Sequence, residues 1–261
     1  MELALDASPS AEITLNRYDP TLFAKFRPIF EASNQESPLR HLACDPDEAN
    51  AAVVMENRSN KDITALRYCW YVTGEDGSEK RNSVSTDSYA VDVFHPVLAR
   101  GDRKLISWST TVDESLLEHV LRGGGLMGSR FLHRPLPAVK SLRLEIDFVL
   151  FIDGEIAGKD RDKYAAELQC RKPAAEFVAK QIRSAESEGR DVTPVLSAIE
   201  KMPHIGNLRH GHGDPLVHWV QRYAHDYLQT VRHHVSTPEA RLRHLENRAI
   251  LPKLYRRHSA S

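Results

Sequence analysis

The residues best suited to chemistry lie in one short stretch of the C-terminal half. His210, His212 and Asp214 alternate there with Gly211 and Gly213. Neutral imidazoles and carboxylates are good zinc ligands, and a water molecule bound to zinc loses a proton near neutral pH. One interpretation of this stretch is therefore a zinc site that activates water for hydrolysis.

The other interpretation of the same stretch is structural. Asp214 precedes Pro215, and a carboxylate directly before a helix that begins with proline commonly caps that helix. Flanking glycines leave the two imidazoles flexible, so gathering them around an ion costs conformational entropy. We therefore expect that His210, His212 and Asp214 bind no metal tightly and that Asp214 is a helix cap.

The His-x-His-x-Asp pattern resembles the metal signature of the metallo-β-lactamase superfamily. The resemblance implies a metal-dependent hydrolase that uses zinc, in which His204 or His218 could complete the site. The chain departs from that family's pattern at Pro215, where the family has a histidine, and it lacks the α/β pattern that precedes the motif there. The hydrolase is therefore the alternative function rather than the preferred one.

Other chemical motifs are weaker. Gly123–Gly128 has the spacing GxGxxG, but a dinucleotide site needs a strand before the glycines and a helix after them. Here a predicted helix from Asp113 to Leu121 comes first and no helical pattern follows, so we expect a loop. Cys44, Cys69 and Cys170 lie far apart, which predicts neither a disulfide framework nor a structural zinc site.

Composition and charge limit the partners and the location. Residues 1–160 carry 18 Lys and Arg against 25 Asp and Glu (net −7), and residues 161–261 carry 17 against 11 (net +6). The basic residues near the C-terminus are interspersed with acidic ones, and Tyr255 is the aromatic residue among them. We therefore expect a protein partner of unknown identity rather than nucleic acid.

No apolar run is long enough to span a bilayer, and no cofactor is expected. The N-terminus lacks the basic and apolar regions of a secretory signal, so the expected location is the cytoplasm, with export only if an upstream leader is missing.

The elements that position these residues begin with a β pattern. Six apolar residues alternate along one predicted strand, which places them on one face. They are Leu142, Leu144, Ile146, Phe148, Leu150 and Ile152. Asp153 and Gly154 then predict a two-residue type I′ turn. Trp70, in the strand Ile63–Val72, is expected to lie with this face in a core between two sheets.

After Gly158 the apolar spacing becomes helical. Seven residues from Tyr164 to Ala185 are spaced alternately by four and three, which predicts one helix face, and Pro173 predicts a kink or break. Three caps followed by proline, at Thr193, Asp214 and Thr237, predict three further helices. The predicted fold class is therefore α+β, with an N-terminal extension (1–49), an immunoglobulin-like antiparallel β-sandwich (50–158) and a helical segment (159–261).

Two stretches carry a resemblance to known proteins. MENRSNKDITALRYCWYV has an Asn-Arg-Ser-Asn turn before a strand with a tryptophan, and IDFVLFIDGEIAGKDRDKYAAELQCRKPAAEFVAKQI passes from an Asp-Gly hairpin through Gly-x-Asp into a long helix. Together they resemble uncharacterised bacterial proteins with an immunoglobulin-like sandwich followed by helices. No activity and no catalytic residue can be carried over from that group. Because sandwiches commonly present their ligand contacts on loops and edge strands, we expect a non-enzymatic binding or interaction protein.

Overall fold

The computed structural model describes residues 2–17, 19, 51–90, 96–108, 111–113, 139–203, 213–233, 237–247 and 251–256. The chain divides into two compact units. The first comprises Met1–Asp87, Pro96–Lys159 and Arg256–Ser261, and the second comprises Ser88–His95 and Asp160–Tyr255. Strands build the first unit and helices dominate the second, so the class is α+β. Within the described ranges, no helix is long and apolar enough to cross a membrane.

Ten strands are described. They are β1 (Glu2–Leu5), β2 (Ile13–Arg17), β3 (Val53–Asn57), β4 (Ile63–Thr73), β5 (Glu79–Asp87), β6 (Arg103–Ile106), β7 (Thr111–Asp113), β8 (Ser141–Phe151), β9 (Glu155–Ala157) and β10 (Tyr255–Arg256). The larger sheet has the order β10-β9-β8-β4-β5, with β1 also paired to β8. The smaller sheet has the order β2-β3-β6-β7.

The centre of the larger sheet is the antiparallel pair β4 and β8. Their pairing runs from Ile63 opposite Phe151 to Thr73 opposite Ser141. The other side of β8 is shared, because β1 pairs with its first residues in parallel and β9 pairs with its last residues in antiparallel orientation. Most strand pairs of the two sheets are therefore antiparallel, with β1 as the parallel exception.

The two sheets share one hydrophobic core. Leu66, Tyr68, Trp70 and Val72 of β4 belong to it, as the alternation of that strand predicts. Ile63 of β4 also belongs to it, and the members from other strands are Leu3, Ile13, Val53, Met55, Ile106, Leu142, Leu144, Ile146, Val149 and Phe151. Trp70 is fully buried, and its ring meets the ring of Trp108 edge to face with centroids 6.4 Å apart.

The predicted apolar face of β8 is correct only for its first half. The register with β4 shifts where Arg67 faces Phe148 and Tyr68 faces Ile146, so Asp147 is an extra residue in β8. Such a bulge reverses the faces of the residues that follow it. Val149 therefore joins the core between the sheets, whereas Phe148 and Leu150 are buried outside that core.

The hairpin after β8 also differs from the prediction. Gly154 has φ 93°, as expected, but the described non-glycine residues with positive φ are Asp160 and Lys163, so Asp153 is not among them. The Gly154 N–H donates to the Phe151 carbonyl at 2.9 Å. A type I′ turn needs two residues with positive φ, so the two-residue turn is wrong and the loop has three residues ending in a left-handed glycine.

The Gly-x-Asp sequence that follows the hairpin has a structural role at each position. A Cβ on Gly158 (φ 97°) would lie 2.4 Å from the Asp147 carbonyl oxygen, so this backbone approach requires glycine. The Lys159 ammonium lies 2.9 Å from the Glu145 carboxylate. The Asp160 carboxylate accepts a hydrogen bond from the Tyr164 N–H at 2.6 Å.

The helical unit contains α1 (Tyr164–Ser187), α2 (Val192–Glu200), α3 (Pro215–His233) and α4 (Pro238–Glu246). The seven stripe residues of α1 are all buried, which confirms the predicted helix face. The sequence predicts a kink or break at Pro173, and the helix continues through this residue without a break. Side chains of all four helices form one second core, which includes Val178, Leu196, Tyr223 and Leu242.

The helix caps agree with the sequence at two of three positions. Thr237 accepts a hydrogen bond from the Ala240 N–H at 3.2 Å, and Asp214 caps α3 as described below. The predicted cap Thr193 is wrong, because the Asp191 carboxylate accepts from the Thr193 N–H at 2.9 Å and α2 starts two residues earlier than Pro194. Aspartate is a stronger N-cap than threonine, and it also comes first in the chain.

Two segments adopt a different element from the one that the sequence predicts. The sequence predicts a strand around Ser88–His95, but Ser88–Ala90 form a turn of 3-10 helix, and residues 91–95 lie outside the described residues. Asp113, expected to cap a helix, is the last residue of β7. The glycine run at 123–128 and Cys44 also lie outside the described residues.

The burial of Phe148 gives a test of this packing. Its side chain is fully buried, so Phe148→Ala should lower the free energy of unfolding by about 3–5 kcal/mol. Ile152, which lies just beyond the end of β8 and is 44% exposed, provides the control, and Ile152→Ala should change it by less than about 0.5 kcal/mol. Urea unfolding measures both values, and equal effects would contradict the burial of Phe148.

The close approach at Gly158 gives a second test. Gly158→Ala introduces a Cβ into the Asp147 carbonyl, whereas a Cβ on Gly77 (φ 78°) would meet nothing within 4 Å. Gly77→Ala should therefore cost about 1–2 kcal/mol, the strain of the left-handed conformation alone. Thermal unfolding should show a clearly larger loss for Gly158→Ala, and equal losses would refute the steric requirement.

Candidate interaction surface

A tight turn after β4 fixes the position of β5. The Gly74 N–H donates to the Ser78 carbonyl at 2.9 Å. Within the turn, the Asp76 carboxylate accepts hydrogen bonds from the Ser78 N–H at 2.9 Å and hydroxyl at 2.7 Å. These bonds lower the pKa of Asp76, so the carboxylate stays ionised at neutral pH and the turn keeps its acceptor.

The strand β5 forms one edge of the larger sheet. It pairs with β4 over nine residues, from Glu79 opposite Thr73 to Asp87 opposite Ala65, without a register shift. Among the described strands, none pairs with its other side. In an antiparallel strand the backbone N–H and C=O groups of alternate residues point to each side. A row of backbone donors and acceptors therefore lines the outer side of β5.

The side chains of β5 divide between the two faces of the sheet. Glu79, Arg81, Ser83 and Ser85 are exposed on one face. On the other face Val84 is half-buried and packs against the core between the sheets. The middle of the strand is thus small and uncharged, and the charges lie at the two ends.

The face that carries Arg81 is polar where β5 meets β4. The Arg81 guanidinium lies 2.9 Å from the sulfur of the buried Cys69. The guanidinium of Arg67, which lies two residues before Cys69 in β4, donates to the Ser83 hydroxyl at 3.3 Å. These contacts attach β5 to the sheet through side chains as well as through the backbone.

The polar face continues on β8. The Tyr71 hydroxyl donates to the Glu145 carboxylate at 2.8 Å, and the Arg143 guanidinium lies 3.8 Å from the centroid of the Tyr71 ring. Burial alone lowers the pKa of Arg143, but the carboxylates of Asp6 and Glu79 outweigh it and raise that pKa. Asp6 and Glu79 therefore neutralise the charge of Arg143, which makes these contacts on β8 structural.

The predicted metal ligands are described only in part. His210 and His212 lie outside the described residues. The Asp214 carboxylate accepts a hydrogen bond from the Leu216 N–H at 2.9 Å, and its carbonyl accepts from the His218 N–H at 3.1 Å. Asp214 therefore caps the first turn of α3, which is the role that the sequence predicted for it.

Cys170 lies close enough to Asp214 to be affected by its charge. Burial raises the pKa of the Cys170 thiol, and the carboxylates of Asp214 and Glu167 raise it further. A thiol is an effective nucleophile only as the thiolate. The environment of Cys170 therefore opposes a catalytic role.

A second polar contact joins two helices of the same unit. The His225 Nδ1 lies 2.6 Å from the Glu200 carboxylate, and the Gln221 side chain donates to the Met202 carbonyl. Both contacts connect α3 to the end of α2, next to the second core. They account for His225 as a structural residue.

Sequence reasoning made no prediction for β5. Its residues EKRNSVSTD lack the apolar alternation that marks a half-buried strand. Two signals were available, namely the Gly74–Gly77 turn directly after a long strand and the Val84 and Thr86 pair of β-branched residues beyond it. A hairpin with a polar second strand fits both signals.

Comparison with known proteins finds no matching family model, no matching curated protein and no matching solved structure. The surface has therefore to be interpreted from its own geometry.

The cap on α3 gives a test that also addresses metal binding. Asp214→Ala removes the acceptor for the Leu216 N–H, so the free energy of unfolding should fall by about 1 kcal/mol. Elemental analysis of the same variant should show no change in bound zinc. Stoichiometric zinc in the wild type that disappears in His210→Ala would contradict the structural interpretation and favour the hydrolase.

Proposed function

We propose that this protein is a non-enzymatic interaction protein that binds an extended protein segment along β5. The observation that carries the proposal is the length and regularity of this edge, which has nine paired residues and no register shift. An extended peptide can add a strand to such an edge, with affinity from backbone hydrogen bonds and specificity from alternate side chains.

Edges that are protected from pairing have recognisable features. Short length, a bulge, a proline or inward-pointing charges prevent another strand from adding. The strand β5 contains no proline, and its central residues Asn82–Thr86 carry no charge. The charges of Lys80, Arg81 and Asp87 lie towards the ends, where they select a partner without blocking the backbone.

A metal-dependent hydrolase that uses His210, His212 and Asp214 is the competing hypothesis. The cap formed by Asp214 occupies the carboxylate that such a site would need. Nothing in the described part of the second unit favours this alternative, and elemental analysis separates the two functions.

The finer fold class is also a proposal. Two packed sheets of mostly antiparallel strands with Trp70 between them support an immunoglobulin-like arrangement. The Asn-Arg-Ser-Asn turn on which the resemblance rests has a structural role in this chain, since the buried Asn57 amide donates to the Lys61 carbonyl at 2.8 Å and accepts from the Ser59 hydroxyl at 2.6 Å. We propose that relationship and a protein partner, and, independently of the relationship, a cytoplasmic location.

Strand addition is tested with a displayed library of random nine-residue peptides, selected against the full-length protein. Neighbouring residues of a strand point their N–H groups to opposite sides. Of Ser83→Pro and Val84→Pro, one therefore removes a backbone N–H from the outer side of β5, and the other removes a backbone hydrogen bond to β4. The variant that keeps the wild-type unfolding midpoint should bind the selected peptides about tenfold more weakly or worse.

The matched controls keep the backbone N–H at the same positions. Ser83→Ala and Val84→Thr should retain the affinity within about twofold, because the backbone supplies the hydrogen bonds. Fluorescence anisotropy with labelled peptides measures both sets. The proposal is wrong if the stable proline variant binds as well as the wild type, or if the selection yields no binder.

A further inference from the structure

We propose that the segment bound along β5 is the β5 strand of a second copy of this chain. The two strands would pair in antiparallel orientation about a two-fold axis that passes beside Val84. This inference rests on the proposed function, since it uses the same edge, but it names the partner.

Symmetry limits the possible registers. In one continuous sheet, residues directly opposite each other lie on the same face. A two-fold axis perpendicular to the sheet therefore pairs odd-numbered residues of β5 with odd-numbered ones, and even with even. With the axis beside Val84, the opposed pairs are Val84 with Val84, Ser83 with Ser85, Asn82 with Thr86, and Arg81 with Asp87.

The charges of β5 are complementary in this register. Arg81 of each copy lies opposite Asp87 of the other, so the symmetry makes two attractive pairs. Opposed residues have Cβ atoms about 4.5–5.5 Å apart, within reach of a guanidinium and a carboxylate. The Arg81 guanidinium contacts the Cys69 sulfur through one nitrogen, and its five N–H donors allow a second acceptor.

Two neighbouring symmetric registers are less favourable. An axis beside Ser83 opposes Glu79 with Asp87, which places two like charges together at each end. An axis beside Asn82 opposes Lys80 with Val84 and puts an ammonium against an apolar side chain. The register about Val84 avoids both conflicts and keeps seven residues of each strand in the pair.

The side chains on both faces fit the same register. Val84 packs against the edge of the core between the sheets, so the Val84 pair would extend that apolar face across the axis. On the opposite face the exposed Ser83 and Ser85 would lie opposite each other, where hydroxyl groups form cross-strand hydrogen bonds. Neither face brings an isolated charge into the centre of the contact.

The pairing of one strand from each copy is a small contact. Interfaces well below about 1,000 Å² are characteristic of weak, transient association. We therefore expect a monomer–dimer equilibrium with a dissociation constant on the order of 10 μM, weakened by salt because the charged pairs lie near the surface.

Sedimentation equilibrium of the full-length chain at several concentrations tests the inference. Arg81→Asp and Asp87→Arg should each weaken dimerisation by about tenfold or more, since each replaces two attractive pairs with two repulsive ones. The double variant Arg81→Asp/Asp87→Arg exchanges the charges and should recover the affinity to within about threefold. Glu79→Lys, outside the paired residues, is the control and should change it by less than about twofold.

Crosslinking tests the position of the axis. Val84 is the one residue that opposes its own copy in this register, so Val84→Cys should form an intermolecular disulfide with oxidised glutathione. Ser85→Cys, which faces Ser83 of the other copy instead and lies opposite Arg67 in its own sheet, should crosslink much more slowly. Thermal unfolding of every variant separates loss of dimer from loss of fold.

The outcomes distinguish this inference from the proposed function. A monomer at all concentrations, with peptides still binding at β5, overturns the second copy as partner and leaves strand addition supported. A dimer that neither single charge variant weakens, or in which the double exchange fails to restore affinity, places the contact elsewhere or in another register and overturns the inference. Failure of both experiments refutes strand addition itself.

Discussion

The antiparallel pairing of β4 with β8 is the interaction on which the first unit depends. Both strands have eleven residues, and both are buried over nearly their whole length. Strands β1, β9 and β5 each attach to one of these two, and one face of the pair supplies most of the core shared with the smaller sheet. A strand with partners on both sides has no open edge. Among the described strands, β5 therefore forms one open edge of the larger sheet.

The pair tolerates two irregularities because they compensate each other. The register shifts once between Ile63 and Ala65 of β4 and once at Asp147 of β8. Because each strand has one extra residue, the register is the same at the two ends of the pair. The second shift has a local consequence, since the Asp147 carbonyl lies where a side chain at residue 158 would be. The glycine of the Gly-x-Asp sequence thus follows from the bulge eleven residues earlier.

A partly buried ion pair secures the same end of the sheet. The Lys61 ammonium, in the turn before β4, lies 2.7 Å from the Glu155 carboxylate and 2.5 Å from that of Asp153. Hydrogen bonds to the carboxylates of Asp153 and Glu155 raise the pKa of Lys61, so it remains charged at neutral pH. The nearly buried Glu155 would be costly without this partner. The contact holds the turn before β4 against the hairpin after β8.

The sequence predicted the elements whose apolar residues alternate or repeat at a helical spacing. It did not predict the features that depend on pairing with another strand. The face of β4 and the buried stripe of α1 were predictable because periodicity alone defines them. The bulge at Asp147 was not, since a period of two offers no sign of an extra residue that only the partner strand requires. For the same reason the sequence did not predict β5, because its polar residues form a strand only where β4 supplies the backbone partners.

The sequence could not predict the candidate surface either. That surface depends on backbone groups that every residue possesses, and only the strand order shows which of these groups lack a strand beside them among the described residues.

An open edge must bind selectively if the protein is to avoid aggregation. Flat, apolar edges pair with any extended chain, and proteins restrict this with charges. In β5 the charges occupy the ends and the centre is small and neutral, so the proposed pairing is best when the added strand places an acidic residue against Arg81 and a basic one against Asp87. A strand of unsuitable charge brings like charges together at both ends, and a strand shifted by one residue places its side chains on the wrong faces. The end charges and the alternation of the two faces therefore both select the added strand. The alternation excludes a strand shifted by one residue, and the end charges exclude a strand that is in register but has the wrong charges. Neither constraint would be sufficient alone.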